Sequence, residues 1–237
     1  MTALHLGTSR SGSATPLAAG LGLAVALLGA LSVLAGLGAA GWVAGGAVAL
    51  ATMLLLARGL QRSGAPSLGP ANAVTYGRAL IVAGVAALAT AGTRTWAIVV
   101  LAAVALALDG VDGAVARRTA SASPLGARFD MEVDAFLILV LCVVLARTVG
   151  PWVLVIGLMR YAFVAAGALL PWLTAPLPPR FARKVVAAAQ GVVLVTAVSG
   201  VLPPAATVAV LAGALAARCW SFGRDVVWLT RRSRVRR

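Results

Sequence analysis

Five of the six acidic residues of this 237-residue chain, Asp109, Asp112, Asp130, Glu132 and Asp134, fall between positions 109 and 134. Asp109 and Asp112 stand three apart and Asp130 and Asp134 four apart, spacings that put each pair on one face of its own helix. Two such faces meeting make a pocket of four carboxylates. Hard oxygen ligands of this charge suit Mg²⁺ or Mn²⁺, and a pair of such ions holds a pyrophosphate by bridging its oxygens. Neither the single His nor either Cys lies in this stretch, which argues against zinc. Between the pairs lie Gly110, Gly113, Ala116, Arg117 and Arg118, then a Thr-Ala-Ser-Ala-Ser-Pro turn and Gly126. Small residues allow close backbone approach, and an Arg beside them describes a phosphate pocket. Arg117 can equally serve as a structural partner that neutralises the aspartates.

The elements that carry these residues belong in a bilayer. The chain is 61% hydrophobic and 11% charged, with a mean hydropathy of +1.00, outside the range of soluble domains. Carboxylates at membrane depth are costly and sit in protein-lined cavities. Apolar runs at about 17–38, 42–57, 79–92, 96–108, 134–149, 151–173, 185–202 and 205–222 predict eight membrane helices. The runs 79–92 and 96–108 are short, but each can extend as helix into the polar segment holding Arg78 or Asp109. The expected fold is an all-α polytopic transmembrane helix bundle.

The formal charge of +14 does not point to nucleic acid, because the basic residues sit between apolar runs rather than on a polar domain face. With the N-terminus inside, the loops 58–78, 110–133 and 174–184 and the C-terminal tail hold most of the basic residues, and the outer loops keep only Arg94 and Arg147. Retention of basic residues on the inner side then makes both termini cytoplasmic. All the basic residues but Lys184 are Arg, and Ala, Val, Gly and Leu dominate the rest. That bias points to a GC-rich bacterial genome and hence to a bacterial plasma membrane.

The stretch 60–71 reads as a linker between an N-terminal membrane helix pair, 1–59, and the main membrane domain, 72–230. A basic tail follows at 231–237; it either meets anionic headgroups, at about 1 kcal/mol per charge, or is a solvated retention signal. Cys142 and Cys219 lie in apolar segments and read as packing residues, and His5 is no ligand. Trp42, Trp96, Trp152, Trp172, Trp220 and Trp228 fall near span ends as interface anchors. Tyr76 and Tyr161 either pack or touch substrate. Arg160 stands in mid-span, where an unpaired guanidinium costs a few kcal/mol, so it must face a cavity.

The run Asp109-Gly-Val-Asp112-Gly113-Ala-Val-Ala116-Arg117, followed by Gly126, Asp130 and Asp134 in fixed register, resembles the CDP-alcohol phosphotransferase signature at every fixed position. Upstream, Asn72, Thr75 and Arg78 resemble the family's Asn, Thr and Arg on a membrane-surface helix, with Ala71 in place of its usual proline. The resemblance covers about 68–228 and implies a six-helix catalytic core, with the two N-terminal transmembrane helices as an addition. It implies Asp109, Asp112 and Asp130 as metal ligands and Asp134 as ligand or general base. Asn72, Thr75, Arg78, Asp112, Gly113, Ala116, Arg117 and Gly126 would line the CDP site, and the protein would be a homodimer. Glu132 occupies a position the signature leaves open.

Such an enzyme moves a phosphatidyl group from CDP-diacylglycerol to an alcohol and releases CMP. Arg160, Arg183, Lys184 and Arg218 are the expected acceptor-binding residues, their guanidinium forks matching the phosphate of glycerol 3-phosphate or inositol phosphate. Alternatively, Arg160 pairs with the carboxylate cluster, and 180–184 is a plain inner anchor. Two rival readings keep the aspartates but not the glycine and arginine register. One is a magnesium-dependent intramembrane prenyltransferase; the other is a cation transporter with an aspartate-lined path.

Overall fold

In the computed structural model the described residues, 11–63, 68–92, 95–118, 123–178 and 180–235, form helices and short connections, with no strand among them. Side chains are described for these except at 11–18, 95, 112–118 and 234–235. The eight α-helices are α1 (Ser11–Ala35), α2 (Ala39–Ser63), α3 (Pro70–Ala91), α4 (Thr95–Arg118), α5 (Pro124–Val149), α6 (Leu154–Leu169), α7 (Phe181–Ser199) and α8 (Pro204–Val235). The all-α polytopic bundle expected from hydropathy is the fold observed.

Five described segments are long and apolar enough to cross a membrane: Ala39–Ser63, Pro70–Ala91, Pro151–Leu169, Phe181–Ser199 and Pro204–Ser233. The apolar parts of α1 and α4, Ala19–Ala35 and Trp96–Val111, are shorter, and α5 carries Asp130, Glu132 and Asp134 in its first half. The chain is a multi-pass membrane protein. The short runs at 79–92 and 96–108 do extend as helix, α3 starting at Pro70 and α4 ending at Arg118. Hydropathy marks where apolar side chains stop, not where backbone hydrogen bonding stops, so polar turns continue both helices. For the same reason α2 continues to Ser63 and the expected 60–71 linker shortens to 64–69, of which 64–67 lie outside the described residues. Likewise, α8 continues as helix into the basic tail.

The chain divides into two compact units, Met1–Asp134 and Ala135–Arg237, joined within α5. In the first unit α3 is the central helix, packed by α1, α2 and α4. Its residues 82–89 are all buried, mostly Ala and Val, as befits a helix surrounded on all sides. A small-residue stripe on α2, Gly41, Gly45 and Ala49, is buried. A Cβ at Gly45 would lie 3.0 Å from the Cβ of Ala87 and 3.2 Å from the Ala83 carbonyl oxygen. Absence of side chains lets the two backbones approach, the usual means of gaining dispersion contacts where lipid removes the hydrophobic drive. The N-terminal pair thus packs directly on the helix that carries Asn72, Thr75 and Arg78.

Gly92, in the left-handed conformation at φ 70°, closes α3, and Gly200, at φ 71°, closes α7. In the second unit α7 and α8 pack together, and α6 also meets α8. Gly157 brings α6 against α5: a Cβ there would fall 2.8 Å from the Cα of Leu139.

Candidate active site

Three helices of the first unit deliver the site. Arg78 projects from the third turn of α3 and is 1% exposed. A buried guanidinium requires counter-charges, and it meets three. Its Nη1 donates to Asp109 Oδ1 of α4 at 2.8 Å, and its Nη2 donates to Asp130 Oδ1 and Asp134 Oδ1 of α5 at 2.6 Å each. Asp130 and Asp134, one turn apart, present the same face of α5, so a single nitrogen reaches both. The carboxylates themselves are 33–43% exposed, which leaves them open to solvent-borne ligands.

The donor set fits a divalent metal ion. Oxygens of Asp109, Asp130 and Asp134 lie within 4.8 Å of one another. Oxygens that share one octahedral Mg²⁺ lie about 2.9 Å apart in cis and about 4.2 Å apart in trans, so the three carboxylates would draw together around an ion. Three carboxylates converge on the Arg78 guanidinium from two helices. All three ligands are hard oxygen donors. Asp112, Gly113, Ala116 and Arg117 lie on the last turns of α4, and their side chains fall outside those described.

The start of α5 is fixed by Ser123, whose Oγ accepts from the Gly126 amide at 3.0 Å and whose carbonyl accepts from the Ala127 amide. Ser123 is thus the N-cap, and Pro124 in the first helical position already has the required φ. This cap holds Gly126 against Asn72 of α3, where a Cβ at 126 would lie 2.5 Å from Asn72 Oδ1. Asn72 is itself locked, its Nδ2 donating to the Leu68 carbonyl at 2.7 Å. Thr75 Oγ1 donates to the Ala71 carbonyl at 3.1 Å. Asn72, Thr75 and Arg78 are all buried, on successive turns of α3. Tyr76 is buried too; its hydroxyl finds no partner among the described groups, and its ring packs on Gly20 of α1.

In the second unit, Arg218 of α8 is buried, its Nε without a hydrogen-bond partner among the described groups and its guanidinium 5.4 Å from the Phe222 ring centroid. Arg160 of α6 lies within its electrostatic reach. Arg183 is placed otherwise: its Nη2 donates to Asp225 Oδ1 at 2.9 Å, and Lys184 is exposed. The structure therefore gives Arg183 a structural ion pair.

Sequence reasoning missed two roles. Arg78 was expected only at the nucleotide, whereas it also binds the carboxylates together; the signal was an Arg with no other charged residue in its helix. Asp225, the sixth acid, had no assigned role, although a carboxylate on a basic helix calls for a cationic partner.

The profile of the CDP-alcohol phosphatidyltransferase family matches residues 68–220. No curated protein and no solved structure matches the chain.

Proposed function

The chain belongs to the CDP-alcohol phosphatidyltransferase family, and from that premise we propose that it transfers the phosphatidyl group of CDP-diacylglycerol to a polyol phosphate such as glycerol 3-phosphate or inositol phosphate. The observation that carries the reading is the convergence of Asp109, Asp130 and Asp134 on Arg78. Asp109, Asp112, Asp130 and Asp134 would hold a divalent ion or pair of ions, Mg²⁺ or Mn²⁺. When bound, the metal supplies charge neutralisation for the donor's pyrophosphate.

Within this proposal the acceptor hydroxyl attacks the β-phosphorus in line. An O–P bond forms, the bond from β-phosphorus to the bridging oxygen breaks, and CMP departs with that oxygen. Asp134 takes the hydroxyl proton. An aspartate is a weak base for an alcohol, so much of the acceleration must come from alignment of the two substrates. Arg78 keeps three carboxylates in register and limits their mutual repulsion. Asn72, Thr75, Gly113, Ala116, Arg117 and Gly126 line the CDP side; the tight approach of Gly126 to Asn72 supports that grouping. Arg160 and Arg218 receive the acceptor's phosphate, and two neighbouring cations in a membrane helix pair favour an anionic ligand over a neutral one. The same reading takes the chain as half of a homodimer in a bacterial plasma membrane, with both termini cytoplasmic.

An acceptor panel tests the finer claim. CMP release should be fastest with a polyol phosphate and at least about tenfold slower with glycerol, inositol or serine, since a charge-assisted phosphate contact contributes about 1.5–3 kcal/mol. Equal rates with neutral alcohols would contradict the assignment of Arg160 and Arg218.

A further inference from the structure

Helix α8 is 32 residues long. At 1.5 Å per residue it measures about 48 Å, well beyond the roughly 30 Å of a hydrocarbon core. Its first part, from Pro204, is apolar, and its last part holds Arg224, Arg231 and Arg232. The basic end therefore lies at headgroup level. There, Trp220, Arg224, Val227, Trp228 and Arg231 lie on one face of the helix and, with Arg180 just before α7, line an open surface cleft of about 460 Å³.

Three features give the cleft a chemical preference. Its lining has three arginines and no carboxylate. Asp225, the neighbouring acid, is tied to Arg183 at 2.9 Å, so its charge is matched within the protein. Arg224 lies over the Trp220 ring, 4.6 Å from its centroid, which limits the guanidinium's freedom before any ligand arrives. The walls are apolar as well as cationic: Trp220 is 54% and Val227 51% exposed. A free phosphate needs only the arginines. Exposed Trp and Val beside them at a membrane boundary suit a ligand that has a phosphate and hydrocarbon in one molecule.

We propose that this cleft binds the headgroup of an anionic phospholipid, with Arg180, Arg224 and Arg231 holding the phosphate and Trp220, Val227 and Trp228 lying along the upper acyl chain. The site uses none of the residues given to the CDP donor, the metal or the acceptor. It stands whether or not the proposed reaction is correct. It also narrows the role of the basic C-terminal segment from diffuse attraction to a defined lipid contact.

The test uses the purified full-length protein in neutral detergent, titrated with dioctanoyl phosphatidylglycerol, dioctanoyl phosphatidylcholine or inorganic phosphate, with binding read by native mass spectrometry and tryptophan fluorescence. The expected result is at least tenfold tighter binding of the anionic lipid than of the zwitterionic one, weakening with salt. Arg224→Gln/Arg231→Gln should remove the preference, and Arg180→Gln, on a different element, should reduce it. Asp130→Asn should leave it unchanged, which separates this site from the carboxylate cluster. Equal binding of the two lipids would overturn the proposal, as would a preference that survives both sets of arginine variants or is lost in Asp130→Asn. Displacement of the lipid by inorganic phosphate at equal concentration would also overturn it, because the apolar wall would then contribute nothing.

Discussion

Arg78 and Asp109 join α3 to α4 through a 2.8 Å ion pair in which the guanidinium is almost wholly buried and the carboxylate is 43% exposed. That asymmetry makes Arg78 the fixed part of the site and the aspartates its accessible rim. Replacing Arg78 with Met removes the guanidinium on which three carboxylates converge. A fully buried pair broken this way costs about 3–5 kcal/mol; with rims this exposed, about 1–3 kcal/mol is expected. Arg78→Met should therefore lower the thermal midpoint and abolish activity. Arg78→Lys keeps the charge but not the fork, so it should recover stability while losing at least about tenfold in kcat. Melting curves in detergent alongside rates check both, and an active Arg78→Met would remove the residue from the account.

Gly126 and Asn72 give a second handle. A methyl at 126 would sit 2.5 Å from Asn72 Oδ1, so the amide must rotate and give up its 2.7 Å bond to the Leu68 carbonyl. Gly126→Ala should leave the helix bundle folded and raise the KM for CDP-diacylglycerol by about tenfold, the loss of roughly one hydrogen bond to a charged ligand. Steady-state kinetics with varied donor measure it. A rise confined to the acceptor's KM would place Asn72 elsewhere.

The packing of the N-terminal pair is tested by two adjacent glycines of α2. Gly45 meets Leu28, Ala83 and Ala87, while a Cβ at Gly46 meets nothing within 4 Å. Gly45→Leu should destabilise by about 1–3 kcal/mol through overpacking, and Gly46→Leu should stay within about 0.5 kcal/mol. Thermal midpoints of the two variants decide. Equal midpoints would mean that α2 does not rest on α3.

Arg183 and Arg160 should separate in kinetics. Arg183 is bonded to Asp225, which is 11% exposed, so Arg183→Met should lower stability and leave the acceptor's KM within about twofold. Arg160→Ala should raise the acceptor's KM by about tenfold or more with a smaller effect on kcat, the mark of lost ground-state binding. The reverse pattern would exchange their roles.

The carboxylates were legible in the sequence because a membrane makes acids conspicuous and helical spacing pairs them: Asp130 and Asp134 could be placed on one face without any structure. Helix existence was equally legible from the apolar runs. The pairing of Arg78 with the carboxylates was not, because its partners lie 31, 52 and 56 residues away and only tertiary packing brings α3, α4 and α5 together. The Arg183 and Asp225 pair, 42 residues apart, escaped for the same reason. The end of α2 was misplaced because Arg58 ends the apolar run at 57 but is itself a good helix former, and Leu60 beyond it is still buried at 4% exposure.

The most direct measurement is acceptor-dependent CMP release from CDP-diacylglycerol by the purified full-length protein in lipid, with Mg²⁺ or Mn²⁺. CMP should appear only when acceptor and metal are both present and stop on chelation. It should fall at least about 100-fold in Asp130→Asn and Asp134→Asn variants that melt like the wild type. No CMP with any alcohol, or wild-type rates from those variants, would contradict the assignment of the Arg78 carboxylate cluster as the centre of phosphatidyl transfer.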